Sequence, residues 1–588
     1  MQQTTLSLSG LTLPVYALDA LVIGSGCAGF NAADWLHDLG RRDIAILTEG
    51  VNMGTSRNTG SDKQTYYKLS LAGDDGDSVG EMAKTLKRDD VDGDIALCEA
   101  AGSAQGFFKL AQLGVPFPQN EYGEYVGYQT DHDVRRRASS VGPLTSRYMT
   151  EALERSVCRR GVTILDETMA CRVLTNADGV RGLLCLDLKE LTWLHIHCAH
   201  VIMATGGPAA IYYSSVYPVS QFGMSGMAFE AGASGANLDC WQYGLASVKF
   251  RWNVSGSYQQ ALPRYVSVDE AGVEHDFLTE ALGVKDALNM AFLKGYQWPF
   301  DPRKAEGSSR VDILVKREND LGRRVYMDYR RNPTGYSLER LGGEARDYLV
   351  NCGATQETPL ERLKAINAPA IALYRDHHID LEKEMLEVRV CAQHHNGGIA
   401  VDANWQTEVS GLYVCGEAAG TFGQYRPGGT ALNSTQVGSM RAANHIARES
   451  KRQPDRKDVA AELPMLPKGQ PAALMVELQK LMTRYAAFQR DEEGIRRLLD
   501  RIDEISAQRE EARLGDPCLR QRLRLNDMMI TQRQVLSAML FSLRNQEKGV
   551  LVTGKGESHR RPARPLPERD LWFERVWRKY RGETEAQQ

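Results

Sequence analysis

The sequence predicts an α/β chain built on a two-dinucleotide-binding, Rossmann-like domain, with an inserted α+β capping lobe and a helical C-terminal domain. Three observations predict it. First, the short apolar run at 18–23 ends in Gly24-Ser25-Gly26-Cys27-Ala28-Gly29 and is followed by apolar residues at helical spacing (Phe30, Ala33, Leu36). A second apolar run at 43–48 then closes a βαβ unit at Glu49. Second, strand patterns running into glycine turns return at 199–207 and 411–417. Third, residues 472–548 carry apolar residues at helical spacing (Leu474, Leu478, Leu481, then Val535, Met539). The stretch between these signals mixes aromatics, Pro and charge. The expected division is 15–245 and 386–449 for the two parts of the nucleotide-binding domain and 246–385 for the capping lobe. A linker rich in Pro, Lys and Asp follows at 450–471, then the helical domain and tail at 472–588.

Composition narrows the class of function. The 588 residues are 42% hydrophobic and 25% charged, ordinary for globular domains, and the formal net charge of -4 gives no reason to expect nucleic acid. The basic stretch Arg560-Arg561-Pro562-Ala563-Arg564 reads as a solvated loop or a partner contact. No run of 18 apolar residues suggests a membrane span, and residues 1–13 lack the basic start and apolar core of a signal peptide. The eleven cysteines fall in no CxxC or Cys/His pattern, so they read as reduced thiols of a cytoplasmic protein. That argues against a zinc site or an iron–sulfur cluster on this chain, and no metal is expected.

Each glycine of the first motif has a task. Gly24 permits the tight turn, Gly26 lets a pyrophosphate approach the backbone, and Gly29 allows close helix–strand packing. The amides and dipole of the helix start, at Cys27 and Ala28, then favour phosphate. Glu49 stands twenty residues after Gly29, where a carboxylate can accept both ribose hydroxyls. Cys27 reads as a small space-filler. These residues leave FAD and NAD equally open.

Two later segments discriminate: Thr205-Gly206-Gly207 after one strand, and Gly416-Glu417-Ala418-Ala419-Gly420 after another. Together with Thr55-Ser56 after Glu49, they resemble the flavoprotein subunits of the succinate dehydrogenase and fumarate reductase family, which includes L-aspartate oxidase and the adenylylsulfate reductase flavoprotein subunit. The resemblance covers nearly the whole chain and implies FAD. It implies that Gly24, Gly26, Gly29 and Glu49 hold the ADP half, and that Thr55 and Ser56 contact the flavin-side phosphate or ring. Thr205 and Gly206 would lie near adenosine, and Glu417 after Gly416 would bind the ribityl chain. Ala431-Leu432-Asn433 would start a helix whose dipole faces the flavin N1–O2 edge.

On the substrate side, Arg426 resembles the family's carboxylate-clamping Arg, a task suited to a guanidinium fork. Arg310 resembles its proton-transferring Arg. Gln393 holds the position of a family His, with His394 and His395 shifted toward Gly397-Gly398, and one of these would face the flavin. Three departures matter. Arg57 and Asn58 fill the region of the His that binds flavin covalently, so non-covalent FAD is expected. Gly244-Leu245-Ala246 replaces a His-Pro-Thr, which removes a substrate-binding His and counts against succinate or fumarate. No acid stands near Gly223, where the family has one.

The leading reading is a flavin-dependent dehydrogenase or reductase acting on a small substrate. An oxidase returning electrons to oxygen, a flavoprotein subunit docked to an iron–sulfur protein, and a non-catalytic nucleotide-binding protein stand beside it.

Overall fold

The computed structural model describes residues 2–8, 11–73, 76–88, 90–130, 133–449, 463–546 and 548–582. The elements that build the site are, in chain order, β1 (Ala20–Ile23), α1 (Cys27–Asp38), β2 (Ile44–Leu47), β3 (Thr163–Leu165), β4 (His200–Met203), β5 (Trp241–Ser247), β6 (Leu386–His395), β7 (Leu412–Val414), α2 (Thr430–Arg448) and α3 (Leu519–Asn545).

Strands β1, β2, β4 and β7 are short, rich in Val, Ile and Leu, and buried at every position, as expected where helices cover both faces of a parallel sheet. With β3 they form a five-stranded parallel sheet in the order β7-β4-β1-β2-β3. The order reverses beside β1, and the carboxyl ends of the strands face one crevice, the usual ligand position in such sheets. A second sheet orders the strands Gln2–Leu8, Leu11–Ala17, Thr192–His197, Gly179–Asp187 and Thr168–Asn176.

The lobe has its own apolar core, running from Leu245 to Val388. Its six-stranded sheet takes in β5 and β6, which lie across the positions 245/246 and 385/386 where the composition changes. The lobe thus hangs on two adjacent strands that also reach the crevice.

Beyond the lobe, three helices dominate: Pro471–Tyr485, Glu492–Ser506 and the 27-residue α3. Two features depart from a purely helical end. Met465–Pro467 pairs with Arg509–Glu511, inside the stretch expected as linker, while 450–462 lie outside the described residues. Val550–Val552 pairs with Gly235–Ala236, which ties the C-terminal segment into the nucleotide-binding part. Arg561 and Arg564, from the basic stretch, are held within the chain by Asp92 and Asp94. All eleven cysteines are free. No helix among the described residues is long and apolar enough to cross a membrane.

His195, in the second sheet, is 2% exposed, and neither ring nitrogen has a hydrogen-bond partner. Burial, with His197 beside it, pushes its pKa down to about 4. The sign follows from linkage. Above about pH 6.5 both folded and unfolded states are neutral. Between about 6.5 and 4 only the unfolded chain takes the proton, so stability falls with falling pH, by roughly 3 kcal/mol in all. A His195→Leu variant should therefore lose less thermal stability than wild type between pH 6.5 and 4. Parallel melting-temperature profiles would refute this.

Candidate active site

A single cavity of about 1640 Å³ runs from the carboxyl ends of the parallel strands to the lobe. It exceeds the roughly 300–1,000 Å³ of an ordinary small-molecule site, so it has room for a dinucleotide and a second ligand. Gly24, Glu49, Thr205 and Glu417, following β1, β2, β4 and β7, all line it.

The glycine turn is close-packed rather than merely flexible. Gly24 has φ +110, and a Cβ there would fall 2.3 Å from the Ala204 carbonyl oxygen. A Cβ on Gly29 would lie 1.9 Å from the Gly24 oxygen, so Gly29 seats α1 on β1 and is not itself on the cavity wall. Gly26 and Ala28 face the cavity. The N-cap of α1, Gly26, has no side-chain cap, which leaves the helix start open to a ligand. The Cys27 thiol turns inward to Thr150 Oγ1 at 3.0 Å, and burial raises its pKa, so the sulfur fills space.

Beside this turn, Thr55 and Ser56 line the cavity; Ser56 Oγ accepts the Cys27 amide, and Thr55 Oγ1 is buried without a partner. Arg57 turns away to Glu154 at 2.6 Å, and the Asn58 amide donates to the Asn52 and Gly54 carbonyls. Thr205 Oγ1 is likewise buried and unpartnered, and its carbonyl accepts Gln221 Nε2 at 2.6 Å. Gly206 packs on the same glutamine. Glu417 Oε1 accepts the His395 amide at 2.8 Å and presses on Gly207, where a Cβ would meet it at 2.4 Å. Burial pushes the Glu417 carboxyl up to about 8, against the lowering effects of that amide and of Arg426. A Cβ on Gly416 would touch Ala28 Cβ at 3.1 Å, so the 416–417 turn and the 24–29 turn are in contact.

Glu49 has partners that no local pattern announces. Its Oε2 accepts Arg520 at 2.9 Å and Arg524 at 2.6 Å, both from α3, while Arg524 also covers Phe222 at 4.0 Å. The i, i+4 spacing puts both arginines on one helix face. Asp527, also from α3, lies behind the turn after Gly223 and off the cavity wall: its Oδ1 accepts the Met227 amide at 2.9 Å, and burial raises it to about 7.

At the other end, Ala431 and Leu432 in the first turn of α2 line the cavity, but Asn433 does not. Its side chain is one helical step round, donating to the Glu99 carbonyl at 3.1 Å and accepting Tyr66 OH at 3.3 Å. Arg426 lines the cavity at 9% exposure. Its guanidinium donates to Gln242 Oε1 at 2.7 and 3.1 Å, to the Pro427 carbonyl and to Thr430 Oγ1, all neutral acceptors. Burial lowers it to about 10, with Glu417, Tyr425 and Glu99 opposing.

The two histidines separate. Asn396 Nδ2 donates to the Gly423 carbonyl, which fixes Oδ1 toward His394 Nδ1 at 2.9 Å. His394 therefore carries its proton on Nδ1 and keeps Nε2 as an acceptor. It lines the cavity, and burial together with Arg426 drives its pKa far down. His395 does not line it: the ring stacks on Trp241 at 4.0 Å, Nε2 meets the Leu238 carbonyl, and burial lowers the pKa to about 3. Arg310 is also off the wall: it is half-buried, with its guanidinium paired to Glu306 at 2.7 Å. Arg303 and Lys304, from the turn before that helix, face the cavity instead, with Trp298 and Phe300. The Pro- and aromatic-rich run at 298–302 was the sequence signal for them. Among the described residues no group of three or more His, Cys, Asp or Glu could hold a metal.

The family model described as FAD binding domain matches residues 19–432. An L-aspartate oxidase from Mesorhizobium japonicum is 27% identical over 73% of this chain and 74% of its own length. One subunit of a fumarate reductase (CoM/CoB) from Methanothermobacter marburgensis is 25% identical over 74% of this chain and 73% of its own length. In fold, the chain is similar to the quinol fumarate reductase protein FrdA of E. coli, with TM-score 0.67 and 17% identity over 94% of this chain and 97% of that one. An adenylylsulfate reductase from Archaeoglobus fulgidus gives TM-score 0.62 at 16% identity, covering 95% and 97%.

Replacing Glu49 by Gln should weaken FAD binding about 10- to 100-fold, the size of a lost charge-assisted hydrogen bond. Arg520→Met should lower the melting temperature while changing FAD affinity less. Equal FAD dissociation constants for wild type and Glu49→Gln would refute the ribose assignment.

Proposed function

The chain belongs to the FAD binding domain family, and from that premise we propose that it moves hydride between a small, carboxylate-bearing substrate and its flavin. That it is an FAD-dependent oxidoreductase of the succinate dehydrogenase and fumarate reductase flavoprotein kind follows from its relatives. The observation that carries the finer reading is Arg426. A guanidinium buried to 9% exposure donates only to neutral acceptors and has no carboxylate in direct contact, and an anionic ligand would supply one.

The wall fits FAD. Two unpartnered threonine hydroxyls, the bare Gly26 surface and the open start of α1 suit the phosphates and their neighbours. Glu49 Oε2 is taken by the arginines, so Oε1 would be the oxygen that accepts the ribose hydroxyls, and Glu417 would bind the ribityl chain. Ala431 and Leu432 put the start of α2 on the cavity wall, where its dipole would stabilise negative charge at the flavin N1–O2 edge. With Arg57 and Asn58 where the family has its flavin-linking His, the FAD would be held non-covalently. Bound FAD supplies the hydride acceptor, or donor, at N5. The chain's own residues do the rest. Arg426 clamps the carboxylate, with Gln242 holding the guanidinium in place. His394 Nε2 accepts a substrate proton, and a bound carboxylate makes it more basic by offsetting the Arg426 charge. The lobe covers the cavity and excludes water.

A second reading, a flavoprotein subunit docked to an iron–sulfur electron-transfer protein, rests on the helix Phe573–Tyr580. It buries nothing and exposes Phe573 and Tyr580 at 70% and 77%. The reduced thiols suit the cytoplasm.

An anaerobic screen of carboxylic acids, followed by bleaching of the flavin absorbance, tests the leading reading. With the substrate found, Arg426→Lys should lower kcat/KM about 100-fold, mostly through KM. His394→Gln should lower kcat 100-fold or more with KM nearly unchanged. Bleaching by no acid, or an Arg426→Lys enzyme with wild-type kinetics, would contradict it. Co-purification of an iron–sulfur protein without which the chain is inert would favour the second reading.

A further inference from the structure

Strand β5 carries Gly244 opposite Cys391 of β6. A Cβ at Gly244 would lie 2.7 Å from Trp298 Nε1 and 2.8 Å from Gln393 Oε1. A side chain at Gly244 would collide with both, so its absence is what lets an indole N–H and an amide oxygen converge over β5. Neither atom has a hydrogen-bond partner, although both are buried. Both residues line the cavity, and Gln393 is 6% exposed. Their orientations are set from behind. Gln393 Nε2 donates to the Leu245 carbonyl at 3.2 Å, which turns Oε1 forward. The Phe300 amide donates to the Tyr243 carbonyl at 2.7 Å, which pins the 298–300 turn on β5. Leaving a buried polar atom unpaired costs about 1–3 kcal/mol, so a donor and an acceptor unpaired at one spot point to a ligand that answers both.

We propose that Trp298 and Gln393 form a recognition site for a neutral group that both accepts and donates a hydrogen bond, a primary amide or a hydroxyl, at the far end of the substrate. This rests on the reading of Arg426 as the carboxylate clamp at the near end. The chemistry excludes the other common end groups. A carboxylate has no proton for Gln393 Oε1 and would face its lone pairs. An ammonium has no lone pair for the Trp298 N–H. Phe300 and Phe488, 4.6 Å apart beside this site, supply an apolar lining for the stem between the two ends. The substrate class is thus an acid amide or hydroxy acid rather than a symmetrical dicarboxylate, and the sequence departure at Gly244 is what changes the specificity.

Isothermal titration of the FAD-loaded enzyme with matched pairs tests this: succinamate against succinate, glutaramate against glutarate, adipamate against adipate, with propanamide as a carboxylate-free probe. In at least one pair the amide acid should bind ten times more tightly than the diacid. Trp298→Phe and Gln393→Met should each remove that preference, Trp298→Phe by weakening the amide acid and Gln393→Met by weakening the amide acid while tightening the diacid. Diacids that bind as tightly as their amides in every pair would overturn the proposal. So would variants that shift the melting temperature but no binding constant, because Trp298 and Gln393 would then serve only each other. An amide acid that binds no better than propanamide, with propanamide still sensitive to both variants, would instead sink the Arg426 reading and leave this site standing.

Discussion

Everything in the crevice depends on how closely β1, α1 and the turn after β4 approach one another. A single methyl group on Gly24 or Gly29 would overlap a carbonyl oxygen, at 2.3 and 1.9 Å. Only a backbone without side chains at these points lets the helix start sit over the strand ends, where its amides are exposed. Contact between Gly416 and Ala28 extends the arrangement to β7, and the pressure of Glu417 on Gly207 extends it to β4. The four strand ends then form one rim, and an acid stands at each side of it, Glu49 and Glu417.

That rim and the lobe enclose charges that are poorly compensated within the chain. Burial holds Glu417 and Glu99 near 8, and Arg426 well below its ordinary value. His394 is kept neutral by the same burial and by Arg426. Burial thus keeps the two carboxyls and the imidazole largely uncharged at neutral pH, and leaves Arg426 as the buried group for which an anionic ligand would supply what is missing. Polar atoms at the site follow the same logic: Thr55 Oγ1, Thr205 Oγ1, Trp298 Nε1 and Gln393 Oε1 all lack partners.

The parts of this that were legible in the sequence are those whose cause is local. A strand, a glycine turn and a helix start lie within twenty residues, so Gly24, Gly26 and Ala28 could be assigned from spacing, and the turns at 205–206 and 416–417 by resemblance. The predicted residues that lie off the wall share a different cause. Asn433 and His395 adjoin wall residues, but one step along a helix or strand turns a side chain to the other face. Arg310 sits a few residues beyond Arg303 and Lys304, and the direction of its helix could not be seen from spacing. The partners of Glu49 lie 471 and 475 residues away on α3, where two arginines on a helix look like any solvated face. Asp527, the acid that holds the Met227 amide, likewise comes from 300 residues further along the chain. The gap at Gly244 was visible as a departure, but what fills it required the fold.

One continuous cleft has to accept a whole flavin dinucleotide, adenosine end included. Calorimetric titration of flavin-free protein measures this most directly, with FAD, FMN and NAD compared under one condition. The account predicts one FAD per chain, with FMN and NAD bound at least 100-fold more weakly, since each leaves part of the wall unanswered. FMN binding as tightly as FAD would contradict it, because Glu49 and the Thr205 turn would then contribute nothing.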